Sequence, residues 1–383
     1  MKKSIFIFIV LVSIIPLKSC SQENSGTSSS EERKSLKQKQ TAFDLTDYLE
    51  DNKDLDEKVN LQVSEMSDSA LVAQLIMPAA GRLGLPKEDI LKFTNRGLIG
   101  GVLMLNGTVE EFTSWIEEFE KVNSKKGHLP FLYSADAEPS LVNRKITGST
   151  LVKKAQEVKS LEEAIEVASI ISNDLNKIGI NYNFAPVVDV STNATVGYRG
   201  FGAKKENLLP WSKAFISETQ KHNIVATAKH FPGHGLVSGD THKSLQVIDG
   251  ELKELSNYPP LIEAGVLSIM IAHIAIQNNK DYDTKGLPAT TSETIVTSLL
   301  RNKLGFKGLI VTDAMNMGGV NKVPNAAEKA VNAGCDIVLM PLDIEKTFDE
   351  LYQKMKTDPS FRKKVVASAK RIVRMKICLS LIK

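Results

Sequence analysis

Residues 224–242 read I-V-A-T-A-K-H-F-P-G-H-G-L-V-S-G-D-T-H. The stretch changes character at Lys229. Ile224 to Ala228 is a short apolar run of the kind that forms a buried strand. Pro232-Gly233 then forbids both a helix and a central strand. Lys229 and His230 therefore stand at the carboxyl end of a strand, and an irregular loop follows. His230, His234 and His242 are three of the chain's six histidines, and Asp240 lies two residues before the last of them. Loops this rich in titratable groups carry function when a rigid scaffold presents them.

Outward from this point the same alternation repeats. Upstream, Ser67-Asp68-Ser69 caps an amphipathic helix reaching Ile76. Strands are expected over 97–105, 129–136 and 180–190, with helices over 109–123, 160–178 and 206–222. Downstream come helix 251–265, strand 268–274, helix 291–304, strand 308–313, helix 324–333, strand 335–340 and two helices to about Met375. Each strand is nearly all apolar, which implies parallel strands buried on both faces. Seven strands are legible and an eighth has no obvious place. The repeat predicts an α/β fold, a single (β/α)8-type TIM barrel over 59–383, with no C-terminal second domain. An open doubly wound sheet is the alternative, and the lack of a glycine-rich dinucleotide fingerprint after the first strand speaks against it.

The first residues read differently. Lys2 and Lys3 precede an apolar run from Ile5 to Leu17, too short to span a membrane comfortably, so 1–19 is expected to be a signal peptide. Cys20 directly after Ser19 resembles a bacterial lipoprotein signal. That predicts an exported protein held at a membrane by a lipid on Cys20. Residues 20–58 are rich in Ser, Lys, Glu, Gln and Asp, the composition of a tether and a poorly packed lead-in. A net charge of +3 over 383 residues, with no dense basic patch, removes nucleic acid as a leading partner. Cys335 and Cys378 lack metal-ligand spacing, and Cys335 reads as a buried apolar residue. Oligomeric state is not legible.

Asp136, Lys229, His230, His273 and Asp313 each stand where an apolar run ends. In a parallel barrel those ends share one rim, where enzymes of that architecture carry their chemistry. Asp313, within I-V-T-D-A-M at 310–315, is a poorly solvated carboxylate and a candidate nucleophile. Asp240 and His242 are two residues apart, so an extended loop would point both the same way. The carboxylate would then fix the tautomer of the imidazole and raise its basicity. A zinc site from His230, His234 and His242 is disfavoured because Pro232-Gly233 breaks the helix that H-x-x-x-H requires. No metal and no cofactor is expected.

The string K-H-F-P-G-H-G followed by D-T-H closely resembles bacterial β-N-acetylglucosaminidases of glycoside hydrolase family 3. V-T-D-A-M-N-M-G-G-V around Asp313, L-P-A-T-T-S at 287–292, N-F-A-P-V-V-D-V at 183–190 and A-G-C-D-I-V-L-M-P at 333–341 resemble that family too. The resemblance implies that Asp313 makes a glycosyl-enzyme and that His242, partnered by Asp240, is the acid/base. It implies that Lys229, His230, Asp136, Arg144 and Arg199 bind the terminal sugar, with Glu138 retained between Asp136 and Arg144, and that His273 supports the site. One departure stands out: Pro139-Ser140 replaces the glycines that usually follow the family's D-x-E. The expected reaction is exo-hydrolysis, with retention, of terminal β-linked N-acetylglucosamine from peptidoglycan fragments or related glycans. The rivals are a β-glucosidase or β-xylosidase of the same family, a glycoside phosphorylase, and a non-catalytic sugar-binding lipoprotein.

Overall fold

The computed structural model describes residues 43–190, 196–201, 205–234 and 237–383. Phe43–Lys383 forms one compact unit, while Met1–Ala42, with the expected signal segment and Cys20, lies outside the described residues. No helix among the described residues is long and apolar enough to cross a membrane.

The unit is an α/β fold around a curled parallel sheet. Seven strands pair in the order Leu309–Thr312, Ser268–Ile271, Val225–Phe231, Tyr182–Asn183, Leu132–Ala135, Gly101–Met104 and Ala79–Ala80. Every neighbouring pair is parallel. A further parallel pair joins Ile76–Met77 to Val338–Leu339. Val311 bridges Ile337, and Thr312 N–H donates to Ile337 O at 3.0 Å. The 337–339 segment thus lies beside both Val311 and Ile76–Met77. Two short strands, Ile76–Met77 and Ala79–Ala80, lie where the sequence showed only the end of a helix: the helix capped by Ser67 stops at Gln74, earlier than expected, and Pro78 separates the two strands.

Helices pack outside by the usual spacing. Leu161–Ile178 shows the rule. Ser160 accepts from Glu163 N–H at its start, and Gly179, with φ of 93°, ends it. Ala164, Val167, Ala168, Ile171, Leu175 and Ile178 are its buried stripe. Burying each of the larger side chains is worth about 1.5–3 kcal/mol.

Three expectations need correction. The lead-in is expected over 20–58, yet from Phe43 onward the chain is part of the compact unit. Phe43, Leu45, Tyr48 and Leu55 are buried, Asn52 caps the helix Lys53–Ser64, and Arg374 Nε donates to Tyr48 O at 2.7 Å. Acidic residues dominate the composition there, but the apolar ones are spaced to reach the core. The helix expected over 251–265 is only Tyr258–Glu263, with prolines in its first turn. The strand expected over 268–274 stops at Ile271, and a separate strand, Ile274–Gln277, pairs with Gln246–Asp249. His273 sits in the break between them.

Candidate active site

Lys229 is the centre of a buried charged cluster at the carboxyl ends of the strands. The Val225–Phe231 strand is buried throughout. Its register against Ser268–Ile271 slips by one residue, with Met270 opposite Lys229 and Ile271 opposite Phe231. A bulge of this kind re-aims a side chain, and both Lys229 and His230 line one cavity. Lys229 Nζ lies 2.8 Å from Asp136 Oδ1 and 2.6 Å from Glu138 Oε1. Lys145 Nζ reaches Asp136 Oδ2 at 2.6 Å. Arg199 grips Glu138 in a fork, Nε to Oε2 at 2.9 Å and Nη2 to Oε1 at 2.6 Å.

Burial pushes both carboxyls up, but the cations outweigh it. Lys145 and Lys229 hold Asp136 well below the usual carboxylate range, and Arg199 and Lys229 bring Glu138 down to about 2. Burial pulls the Lys229 ammonium down, and Asp136 and Glu138 more than restore it. The cluster therefore stays ionised at neutral pH, each charge compensated by a neighbour.

Asp189 organises the loop that follows. It is buried, with its Oδ2 at 2.6 Å from His230 Nδ1 and its Oδ1 accepting from His234 N–H at 2.7 Å. With Nδ1 engaged by Asp189, Nε2 is the ring nitrogen His230 has left for the cavity.

Asp313 follows the Leu309–Thr312 strand. Its Oδ1 accepts from Ala314 N–H at 2.8 Å. His273 Nε2 lies 3.0 Å from Ala314 O, and its Nδ1 lies 2.8 Å from Thr290 Oγ1. Thr290 and His273 thus brace the peptide beside the carboxylate. Burial raises the Asp313 carboxyl, and His230 and His273 bring it below its ordinary value. It is an anion at neutral pH.

Asp240 Oδ1 lies 2.8 Å from His242 Nδ1 and also accepts His242 N–H at 3.0 Å. Lys243 N–H returns to Asp240 O at 3.0 Å. The pair meets because Asp240 closes a turn on its own backbone, not because the loop is extended. The His242 side chain is 58% exposed.

Asp136, Arg144, Arg199, Lys229, His230, Asp240, His242 and Asp313 line a single cavity of about 600 Å³, while Glu138 and His273, also singled out from the sequence, stand behind its lining. Leu103, Leu105, Met270, Leu339 and Met340 add apolar surface to its lining. Such a space is of small-ligand size. The polar residues offer charges and hydrogen bonds to a ligand, and Asp313 adds an ionised carboxylate.

Residues 69–375 match the glycosyl hydrolase family 3 N-terminal domain. The chain belongs to glycoside hydrolase family 3. It is 29% identical over 331 residues to beta-hexosaminidase A of Pseudoalteromonas piscicida, an overlap covering 76% of this chain and 55% of that protein. The chain thus spans about half the length of that relative. It is 31% identical over 297 residues to a beta-hexosaminidase of Actinobacillus pleuropneumoniae serotype 5b, covering 71% of this chain and 84% of that one. Among solved structures, a glycoside hydrolase family 3 beta-N-acetylglucosaminidase from Paenibacillus sp. superposes with a TM-score of 0.74 at 27% identity, covering 82% of this chain and 63% of that one.

Several residues of this family 3 site were not singled out from the sequence. Arg144 lines the cavity, but the cation bound to Asp136 is its neighbour Lys145, on the one-turn helix Val142–Lys145. Asp189 was quoted only as part of a motif. It ends an apolar run, A-P-V-V-D, so the rule that picked Asp136 and Asp313 would have found it. Thr241 and His234 line the cavity and bond to each other, His234 Nε2 to Thr241 Oγ1 at 2.8 Å. No metal-binding group of three or more His, Cys, Asp or Glu side chains occurs among the described residues.

Proposed function

We propose that this chain is an exo-acting, retaining β-N-acetylglucosaminidase. Its substrates would be peptidoglycan fragments or related glycans ending in β-linked N-acetylglucosamine. The observation that carries the reading is that Asp313 and the Asp240–His242 pair line one cavity with the charged cluster of Asp136, Lys229 and Arg199. The hexosaminidase names of the relatives support the sugar.

In the proposed reaction the Asp313 carboxylate attacks the anomeric carbon, and the protonated His242 ring gives its Nε2 proton to the departing oxygen. The same nitrogen then takes a proton from water as that water displaces Asp313, so the product keeps its β configuration. An imidazole suits both duties, because its unperturbed pKa of about 6.5 lies near working pH. Burial pushes the Asp240 carboxyl up, but the His242 backbone and ring hold it below its ordinary value, so it stays anionic and orients the ring through Nδ1. Lys229, His230, Asp136, Arg144 and Arg199 would hold the ring hydroxyls.

We read the strand pairings as a closed eight-stranded (β/α) barrel, counting 76–80 as its first strand and 337–339 as its last. From the leading residues we infer export and a lipid on Cys20. Mass spectrometry of the membrane-fraction protein should find a lipidated Cys20 as the amino terminus. An unmodified terminus elsewhere refutes the anchor.

The deciding experiment is hydrolysis of 4-nitrophenyl N-acetyl-β-glucosaminide beside the corresponding glucoside and xyloside, each with and without phosphate. Turnover of the first without phosphate, giving β-N-acetylglucosamine in early proton NMR spectra, is expected. A preference for glucoside or xyloside, a requirement for phosphate, an α anomer or no turnover each defeats the proposal.

A further inference from the structure

The D-T-H turn is held from two sides by residues the reaction does not need as acid, base or nucleophile. From one side, His234 Nε2 bonds Thr241 Oγ1 at 2.8 Å. His234 is 2% exposed and Thr241 is 1% exposed. From the other side, Gly319 N–H donates to Thr241 O and Gly318 N–H donates to His242 O, each at 2.9 Å. These glycines lie on the segment that follows Asp313 in the chain. They also have no room for a side chain: a Cβ at Gly318 would stand 2.2 Å from Lys243 O and 2.8 Å from His242 O. A Cβ at Gly319 would stand 2.9 Å from His273 Cβ and 3.2 Å from Thr241 O. Contacts under 3.0 Å cannot be absorbed by backbone, so a side chain at Gly318 would force the turn to move, and one at Gly319 would press on His273.

We propose that His234, Gly318 and Gly319 form a clamp that fixes the reach of His242 relative to Asp313, acting as positioning residues rather than catalytic ones. The proposal rests on the reading of His242 as acid/base. The His242 ring is more than half exposed and its own packing cannot fix it, so its place follows from the backbone of the turn. Thr241 is the gripped residue, and it stands between the two members of the dyad. Burial and the nearby His230 keep His234 neutral, with its pKa pushed down to about 4, so the grip on Thr241 does not titrate away at working pH. His234 Nδ1 is buried with no partner among the described residues, which leaves the Thr241 bond as the one polar tie of that ring. By joining the turn to the stretch after the nucleophile, the clamp makes the spacing of the two reacting groups a property of one braced unit.

The test compares Gly318→Ala, Thr241→Val and Thr241→Ser with the wild type and with His242→Ala. Each is assayed on chitobiose, whose leaving group needs a proton, and on 2,4-dinitrophenyl N-acetyl-β-glucosaminide, whose leaving group does not. Misplacing a catalytic group by about 1 Å costs on the order of 100-fold. We expect kcat/KM on chitobiose to fall about 100-fold in Gly318→Ala and about tenfold or more in Thr241→Val. On the dinitrophenyl substrate it should stay within about threefold. Thr241→Ser keeps the hydroxyl and should recover most of the loss. Added azide should speed dinitrophenyl turnover in the impaired variants. Azide attacks the anomeric carbon of the glycosyl-Asp313 ester, a C–N bond forms, the C–O bond to Asp313 breaks, and the carboxylate leaves with the electron pair, giving the β-glycosyl azide. Equal losses on both substrates without azide rescue mean general damage and overturn the clamp, as does wild-type behaviour of Gly318→Ala and Thr241→Val. Should Gly318→Ala fail to fold, Thr241→Val against Thr241→Ser decides alone. If His242→Ala itself lacks the leaving-group signature, the acid/base reading has failed and takes the clamp with it.

Discussion

Two buried charged clusters stand at opposite ends of the parallel strands, and they use their bonds differently. At the carboxyl ends, Asp136, Glu138, Lys229 and Arg199 pair with one another, yet Asp136, Lys229 and Arg199 still line the cavity. At the amino ends, Asp336 is fully buried and every direction around it is taken. Its Oδ1 accepts from Ser368 Oγ at 2.8 Å and Arg371 Nη1 at 3.0 Å. Its Oδ2 accepts from Ile310 N–H at 2.8 Å and from Arg301 Nη2. One cluster has bonding capacity left for a ligand, and the other has closed on itself. A buried ion group with spare valence costs folding energy that only a function explains. One with none left is a fastener between strands and the last helix.

The comparison breaks most visibly at Asp313. Asp313→Ala removes the group at the cavity and should lower kcat/KM for an aryl N-acetylglucosaminide by about four powers of ten, while the urea midpoint moves little. A folded variant with more than about a tenth of wild-type activity would show that the carboxylate there is only structural. Asp336→Ala should behave in the opposite way. It strands Arg301 and Arg371 without their partner, at a cost of about 3–5 kcal/mol in unfolding free energy. Protein that remains folded at low temperature should keep near-wild-type kcat. A stable Asp336→Ala variant would mean that those guanidiniums find water, and the cluster would not be closed after all.

How far the sequence could be read follows the same division. The mouth was legible because its side chains interrupt apolar runs: Asp136, Lys229, His230 and Asp313 are polar residues in apolar company, and eight chosen positions meet in one cavity. What was missed there turns on geometry shorter than a helical turn. Arg144 and Lys145 are adjacent cations, and nothing in their order says which one bends back to Asp136. The Asp240–His242 contact was expected, but from an extended loop and not from the turn that Asp240 builds. The closed end was far less legible. Asp336 also interrupts an apolar run, yet its partners come from two distant helices, Arg301 from Thr294–Lys303 and Ser368 and Arg371 from Pro359–Cys378, and look like ordinary surface polarity. The strands Ile76–Met77 and Ala79–Ala80 are too short to read from the sequence, because Pro78 separates them and a helix ends directly before them. The stretch 43–58 failed on composition, since its acidic residues hid Phe43, Leu45, Tyr48 and Leu55.

Lys376, on the final helix Pro359–Cys378, sharpens the contrast at the closed end. Like Lys229 it is a fully buried lysine, but it has no carboxylate in contact. Its Nζ donates to Gln74 Oε1 at 2.6 Å and to Gly100 O at 3.0 Å. Glu120 is the charged group that acts on it, and Glu120 Oε1 is already engaged by Tyr133 Oη and Phe131 N–H. Burial therefore prevails and pulls the ammonium down to about 7. A neutral amine still makes both bonds, so folding does not require the charge. In the unfolded chain the same lysine titrates near 10.4. Between those values the unfolded state holds a proton that the folded state has released, so stability rises with pH from about 7 to about 10 and is flat in this respect below 7. The slope is at most about 1.4 kcal/mol per pH unit. Lys376→Met should remove it. Urea unfolding of both proteins at pH 7, 8 and 9 should give curves that converge as pH rises, the variant gaining most at pH 7. Parallel curves would mean that Lys376 stays charged, with Glu120 compensating it across the core, and that the closed end holds an ion pair of the kind seen at the mouth.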